Sequence, residues 1–194
     1  MINKELDVIK YLLRNKGNDI NISRIGKGLK MDYKNTHNIV KRLAKKGILD
    51  LKIFGRSLKV TLIDKNGPQI IEAEYSRRED VLKDNNLRVI HDNYCRNMKS
   101  KFYTMLLFGS HAKGTSTKRS DIDLLFIVPD GLAETYEADI QRIASMLPFE
   151  LHLNIFTEKD FLAMKNSREF TVGSEAIKNN ILLHGIEAYY ELIE

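Results

Sequence analysis

Two aspartates, Asp121 and Asp123, have the residue type and the spacing of a metal-dependent phosphoryl-transfer site. The segment that carries them, residues 120–128, becomes apolar after its first positions and predicts a buried strand. Because strand side chains point alternately to the two faces, both carboxylates are expected on one face. Two carboxylates held so close repel each other unless a cation lies between them, and their oxygens suit Mg²⁺ or Mn²⁺.

A glycine turn precedes this carboxylate pair. Residues 102–108 form an apolar run that predicts a buried strand, and Gly109-Ser110 ends it. Glycine lets the backbone turn sharply and approach a ligand closely. A helix is predicted to begin here, so that its unpaired N–H groups face a bound phosphate. A phosphate-binding turn beside two carboxylates indicates metal-assisted phosphoryl or nucleotidyl transfer.

The two motifs together resemble the signature of the DNA polymerase β-type nucleotidyltransferase superfamily, in particular its minimal members. The residues that carry the resemblance are Leu107-Phe108-Gly109-Ser110-His111-Ala112-Lys113-Gly114 and Ser120-Asp121-Ile122-Asp123-Leu124. The resemblance implies two metal ions held by the aspartates and a third carboxylate, and attack of an acceptor hydroxyl on the α-phosphate of a nucleoside triphosphate. It further implies nucleotide-binding roles for Gly109, Ser110, Lys113 and Ser120, although the Lys113 side chain could equally lie in solvent.

The third carboxylate is expected in the next strand, predicted over residues 149–156. The exposed face of that strand offers Glu150, His152 and Asn154. His152 stands where the acid is expected, and Glu150 could replace it as a catalytic carboxylate if the strand is shifted. Mg²⁺ prefers oxygen, so His152 itself is expected to be a surface or nucleotide-stacking residue.

The N-terminal third has the pattern of three helices followed by a β-hairpin. Helices are predicted over residues 5–16, 22–30 and 33–46, the second capped by Asn21 and the third by Asp32. Apolar residues then alternate over 48–53 and 58–62, on either side of a turn at 54–57. This arrangement resembles the winged helix-turn-helix of transcription regulators, with residues 31–49 as the best-matching segment.

The winged-helix resemblance implies DNA binding through residues 1–66. The residues expected at bases, phosphates and the wing are Tyr33, Lys34, His37, Asn38, Lys41, Arg42, Arg56 and Lys59. Residues 1–66 carry a net charge of +10 and residues 67–194 a net charge of −5, which favours a polyanion partner for the first segment. The alternatives are solvated helix positions or a module that binds protein.

We therefore predict a mixed α+β chain with three segments: a winged helix over 1–66, a helical linker over 67–100, and a small mixed-sheet nucleotidyltransferase-like domain over 101–194. The linker holds two predicted helices, 68–83 and 85–98, which either join two copies in a homodimer or begin the catalytic domain. In the last segment, further helices are predicted over 132–146, after Thr157, and over 174–183.

Composition limits the class of protein. The chain has 194 residues, 43% of them hydrophobic and 29% charged, which is typical of a soluble globular protein. There is no apolar run long enough to cross a bilayer and no signal-peptide pattern, so a cytoplasmic location and no membrane partner are expected. The single cysteine, Cys95, fits a reducing compartment, and the five histidines lack zinc-ligand spacing.

Two functions follow from these patterns. In the first, the protein is a DNA-binding nucleotidyltransferase with Mg²⁺ or Mn²⁺ as cofactor. In the second, it is a transcription regulator or antitoxin-like protein whose C-terminal domain binds a nucleotide or a protein partner without turnover. The aspartate pair favours the first, and the absence of an obvious third acid favours the second.

Overall fold

The computed structural model describes residues 3–55, 57–63, 66–117, 120–167 and 169–194. Contacts divide the chain into two compact units, Met1–Glu74 and Tyr75–Glu194. The described helices and strands give a mixed α+β chain, as predicted. No helix among the described residues is both long and apolar enough to span a bilayer.

The described part of the first unit begins with three helices and a hairpin. The helices are α1 (Lys4–Arg14), α2 (Ile22–Leu29) and α3 (Tyr33–Lys45), and the hairpin pairs β1 (Leu49–Phe54) with β2 (Ser57–Leu62) in antiparallel register. Both predicted caps are present. The Arg24 N–H donates to the Asn21 side chain at 2.9 Å, and the Asn35 N–H donates to Asp32 at 2.8 Å.

Two helices follow, α4 (Pro68–Val81) and α5 (Asn85–Asn97). The division between the units falls inside α4, after Glu74, rather than at the turn before Pro68. The apolar stripe of α5 (Leu87, Ile90 and Tyr94) is buried in the core of the second unit. This helix is therefore part of the second unit's core. The sequence left open whether it joins two copies or begins the catalytic domain.

The second unit is built on a four-stranded mixed sheet in the order β5-β4-β3-β6. Its strands are β3 (Thr104–Leu107), β4 (Ile122–Val128), β5 (Leu151–Thr157) and β6 (Ile181–His184). Strand β3 is antiparallel to both β4 and β6, whereas β4 and β5 are parallel. Because the two strands are antiparallel, the end of β3 lies beside the start of β4. Residues that follow β3 therefore meet residues that start β4 at one end of these strands.

The helices that follow in the described residues of this unit are α6 (Gly109–Lys113), α7 (Ala133–Ala144), α8 (Glu158–Asn166), α9 (Val172–Lys178) and α10 (Ile186–Ile193). The buried cluster combines residues of α5 and α7 with alternate residues of β4, namely Ile122, Leu124, Phe126 and Val128. The central strands are buried along almost their full length. They form a rigid base for the polar residues at their ends.

The predicted helix over residues 174–183 is wrong in its second half. Helix α9 ends at Lys178, and Ile181 to His184 form the edge strand β6, which pairs with β3. The buried Asn180 side chain donates to the Ala176 carbonyl at 2.6 Å and so occupies an acceptor at the helix end. A short apolar run fits either a strand or a helix, and here pairing with β3 determines the outcome.

Candidate active site

The two aspartates lie at the start of β4, next to the start of β5. Asp123 is the second residue of β4, and its register partner in the parallel strand β5 is His152. Asp121 directly precedes β4. The position in β5 at which the third acid is expected is therefore the register partner of Asp123, and the residue that occupies it is a histidine.

His152 contacts both carboxylates. Its Nδ1 lies 3.4 Å from Asp123 Oδ1, and its Nε2 lies 3.6 Å from Asp121 Oδ2. The side chains of His152, Asp121 and Asp123 are 59%, 41% and 25% exposed, so all three are open to a ligand from solvent. The two carboxylates thus converge on one imidazole.

Gly109 packs directly against Asp123. A Cβ built on Gly109 would lie 2.1 Å from Asp123 Oδ2, closer than any side chain can approach. Gly109 also has φ +65°, in the left-handed region that favours glycine. The Phe108 N–H donates to the Asp123 carbonyl at 3.1 Å, which fixes the turn to the strand. The glycine turn and the carboxylate pair are therefore in direct contact.

The other predicted nucleotide-binding residues have different surroundings. Ser110 lies in the first turn of α6, and its carbonyl accepts the Thr115 N–H at 3.0 Å. The Ser120 hydroxyl accepts the Thr117 N–H at 2.9 Å and so closes the loop before Asp121. Lys113 pairs with Glu175 of α9 at 2.6 Å. The lysine is thus held by a carboxylate, and a phosphate would have to compete with Glu175 for it.

A cleft of about 860 Å³ opens beside Asp121. Cavities of this size accommodate nucleotide-sized ligands. Glu150 lines this cleft, and its carbonyl accepts the Ile122 N–H at 3.2 Å. The other lining residues are Asp84, Asn86, Leu87, His111, Ser116, Thr117, Ser120, Asp121, Ile122, Pro148 and Phe149. Of these, Asp84 and Asn86 were not predicted as site residues, because only tertiary folding brings the start of α5 to the loop before β4. His111 was not predicted either, although it lies in the glycine motif itself.

Of the site side chains described above, only Asp121 and Asp123 are suited to bind a divalent cation. Among the residues that the structure describes, no group of three or more histidine, cysteine or acidic side chains is arranged to hold a metal ion. Mg²⁺ needs no such cage, because proteins usually bind it through one or two carboxylates together with substrate phosphates and water. The two aspartates meet that requirement. The position expected for a third acid holds His152, which offers nitrogen where Mg²⁺ prefers oxygen.

The residues predicted to contact DNA divide into two groups. Tyr33, Lys34, Asn38 and Lys41 are exposed on α3, and His37 is half-buried, with its ring stacked on Tyr33 at a centroid distance of 5.9 Å. By contrast, Arg42 pairs with Glu5 at 3.0 Å, and Lys59 pairs with Asp19 at 2.6 Å. Arg56 lies outside the described residues. An exposed basic and polar face on α3 therefore exists, and two of the predicted cations already have acidic partners.

Among the solved structures similar to this chain are three with low overall scores. A protein from Archaeoglobus fulgidus is 18% identical, with a TM-score of 0.38, 44% of this chain covered and 92% of that chain. A structure described as a toxin-antitoxin with AMP-PNP is 22% identical, with a TM-score of 0.38, 56% of this chain covered and 79% of that chain. A Sulfolobus solfataricus protein assigned as a nucleotidyltransferase is 18% identical, with a TM-score of 0.34, 56% of this chain covered and 84% of that chain.

A search of curated proteins finds no match. The family comparison is specific to the segment that contains the site, and its bounds include Gly109, both aspartates and His152. Residues 93–179 match the family model of the nucleotidyltransferase domain.

Proposed function

We propose that the second unit transfers a nucleoside monophosphate from a nucleoside triphosphate to an acceptor hydroxyl. The observation that carries the proposal is the packing of Gly109 against Asp123, because it joins the turn after β3 to the carboxylate pair. The match of residues 93–179 to the nucleotidyltransferase family model supports the same chemistry. The cleft beside Asp121 is large enough for a nucleotide.

In the proposed reaction, the acceptor oxygen forms a bond to the α-phosphorus, the bond from that phosphorus to the bridging oxygen breaks, and pyrophosphate leaves. Asp121 and Asp123 would hold a divalent ion, which supplies Lewis-acid stabilisation of the phosphate charge. His152 is the exposed basic group beside both carboxylates and would accept the hydroxyl proton on a ring nitrogen. The contact between Gly109 and Asp123 would place a triphosphate bound at the turn beside the carboxylates.

A second function, nucleotide binding without turnover, is favoured by one observation. His152 occupies the register position at which a third carboxylate is expected, so the carboxylate set is smaller than the resemblance implies. A domain of this kind would act as a nucleotide sensor or would bind a protein partner. The two proposals share Asp121, Asp123 and the cleft, and they differ only in whether pyrophosphate is released.

The test incubates the full chain with each nucleoside triphosphate and Mg²⁺ or Mn²⁺, alone and with cell extract as a source of acceptors. Pyrophosphate release and intact mass are followed, with Asp121→Asn, Asp123→Asn as the matched double variant because it keeps the side-chain shape. Turnover that the variant loses would establish the transferase. Nucleotide binding that the variant loses, with no turnover, would support the sensor instead. The absence of both would overturn the site.

We also propose that the first unit binds duplex DNA as a winged helix, with α3 as the recognition helix. Its exposed face combines cations for phosphates with amide and lysine groups that can contact purine edges. The net charge of +10 over residues 1–66 supports the same partner. Duplex-binding proteins of this class commonly recognise two half-sites as dimers, and we propose a homodimer on that basis.

The test of DNA binding compares the chain with Lys34→Ala, Lys41→Ala. Both lysines are exposed on α3, so their removal lowers charge without disturbing the core. Affinity for mixed-sequence duplex DNA would be measured over a range of salt concentrations, and sedimentation would give the oligomeric state. Binding that is insensitive to salt, or unchanged in the double variant, would contradict the proposal.

A further inference from the structure

The only cysteine of the chain lies between two histidines, away from the aspartates. Cys95 is in α5, and its Sγ lies 3.4 Å from Nε2 of His91, one turn earlier in the same helix. On the other side, the same Sγ lies 3.8 Å from Nδ1 of His184, the last residue of β6. The thiol is half-buried. A sulfur nucleophile therefore has a ring nitrogen on each side.

Both histidines are oriented by a second contact. His91 Nδ1 lies 3.0 Å from the Asp92 carboxylate, and His184 Nε2 lies 3.1 Å from the Lys101 carbonyl. In each ring, one nitrogen is thus held by an oxygen acceptor and the other faces the sulfur. A nucleophile, a base and a group that orients the base are the parts of an activated nucleophile. Here the base and its orienting group occur twice.

A buried hydroxyl completes the cluster. Tyr103 stacks on the His184 ring at a centroid distance of 4.3 Å, and its side chain is 5% exposed. Among the described residues, the Tyr103 hydroxyl has no hydrogen-bond partner of good geometry, although burial and the neighbouring Cys95 both raise its pKa. An unpaired buried donor is costly, and here it lies near the sulfur. It could donate to an oxygen atom added to that sulfur.

The charges around the sulfur favour the thiolate. Burial raises the pKa of the Cys95 thiol, but the hydrogen bonds from His184 and His91 outweigh it and lower the pKa to about 6. The hydrogen bond with Cys95 in turn raises the pKa of both histidines, against their burial. The groups that face the cluster are thus Asp92 and Arg78 near His91, Lys101 beside His184, and Tyr103.

We propose that Cys95 is a nucleophilic thiolate that hydroperoxides oxidise to a sulfenic acid. The thiolate attacks one peroxide oxygen, so that an S–O bond forms and the O–O bond breaks. The sulfur is oxidised by two electrons and the peroxide is reduced to water or an alcohol. The departing oxygen takes its proton from the His91 or His184 imidazolium, and Tyr103 donates to the oxygen that remains on sulfur. This chemistry does not depend on the nucleotidyltransferase proposal.

Metal binding is the other chemistry that such ligands suggest, and the geometry does not favour it. Cysteine and histidine side chains bind zinc when three or four of them converge on one point. Among the described residues, no group of three or more potential ligands converges in this way. The thiolate is therefore held by hydrogen bonds, which leave the sulfur open to a small electrophile.

The first experiment follows alkylation by iodoacetamide from pH 5 to pH 9 by intact mass. Because Cys95 is the only cysteine, the same chain unfolded in urea is the ideal reference. The folded chain should react with a midpoint near pH 6, whereas the unfolded chain should keep gaining rate up to about pH 8.5. At pH 6 the fraction of folded Cys95 present as thiolate should exceed that of an ordinary thiol by about 150-fold. Because a thiolate of lower pKa is a weaker nucleophile, the net advantage in alkylation rate should be about tenfold.

The second experiment adds hydrogen peroxide with dimedone, which traps sulfenic acid, and compares His91→Gln, His184→Gln with the parent chain. The parent should form one adduct, Cys95→Ser none, and the double variant should react about tenfold more slowly at pH 6. Circular dichroism checks that the double variant is folded. A folded chain whose pH profile matches the unfolded one, or that forms no dimedone adduct, would overturn the proposal.

Discussion

Gly109 and Asp123 are packed so closely that a single methyl group on the glycine would overlap the carboxylate. A Cβ atom at this position would lie 2.1 Å from Asp123 Oδ2 and 2.9 Å from Asp123 Cγ. The turn after β3 and the start of β4 are therefore constrained together, and neither can shift without the other. Glycine is therefore needed at position 109 for two separate reasons. Its φ is positive, and the contact with Asp123 leaves no space for a Cβ atom.

Gly109→Ala should displace the Asp123 carboxylate and lower nucleotidyl transfer by about 100-fold or more, because misplacement by about 1 Å has that effect on catalytic groups. The left-handed backbone should also cost roughly 1–2 kcal/mol of stability. Pyrophosphate release and thermal unfolding measure the two effects.

Gly131→Ala is the matched control for this prediction. Gly131 has φ +77°, so alanine meets the same backbone strain, yet its Cβ would contact nothing within 4 Å. This variant should lose similar stability and keep its activity. Equal losses of activity in both variants would show that strain, and not the contact with Asp123, accounts for the effect.

The sequence predicted the proximity of the glycine turn and the aspartates because its determinants are local. A glycine that ends one strand and two acids at alternate positions of the next are sufficient to predict Gly109, Asp121 and Asp123 on one edge. The sequence could not predict that Lys113 is paired with Glu175 or that Asp84 lines the cleft. Those contacts join residues that are far apart in the chain, and no local pattern encodes them.

The edge strand β6 shows a second limit. Residues Ile181 to Leu183 are apolar and follow a helix, so their pattern alone continues that helix. Pairing with β3 instead satisfies the backbone hydrogen bonds of both strands. The same strand ends at His184, which faces Cys95. The sequence pattern, which continues the helix, therefore does not indicate that His184 lies beside Cys95.

His152→Asp should place a third carboxylate at the register position beside Asp123. Three acidic side chains attract a divalent cation more strongly than two carboxylates and an imidazole, because Mg²⁺ and Mn²⁺ favour oxygen ligands. We expect Mn²⁺ affinity to rise by about tenfold or more, as measured by titration with Mn²⁺ in the absence of nucleotide.

His152→Asn is the control, since it removes the ring without adding charge. It should not increase Mn²⁺ affinity. If both variants bind Mn²⁺ as the parent does, the start of β5 is not part of the metal site, and Asp121 and Asp123 hold the cation without it.

Asp139→Asn should destabilise the second unit at neutral pH. The Asp139 carboxylate is buried and accepts the Lys99 N–H at 2.9 Å and an Arg142 N–H at 2.6 Å. Burial raises its pKa, but these two partners outweigh it and hold the pKa below the usual value for aspartate. Loss of the charged acceptor should cost about 2 kcal/mol.

This loss should depend on pH with a defined sign. Because the folded-state pKa of Asp139 is lowered, its contribution is complete above the unfolded pKa, about 3.9, and disappears as the pH falls through the lower folded value. Urea unfolding followed by circular dichroism between pH 2 and pH 8 tests this. The difference between Asp139→Asn and the parent should shrink at the acid end. Glu137→Gln, on the exposed side of the same helix, should show little difference at any pH.

Lys41 and Arg42 are adjacent cations on α3 that should contribute differently to DNA binding. Lys41 is exposed, whereas Arg42 is held by Glu5 at 3.0 Å, a carboxylate that also pairs with Lys46 at 2.6 Å. Lys41→Ala should weaken binding and reduce the slope of log affinity against log salt by about 1, because one phosphate contact is lost. Arg42→Ala should leave that slope nearly unchanged. A slope that falls equally in both variants would mean that Arg42 leaves Glu5 to bind phosphate, and an unchanged slope in both would place the DNA away from this part of α3.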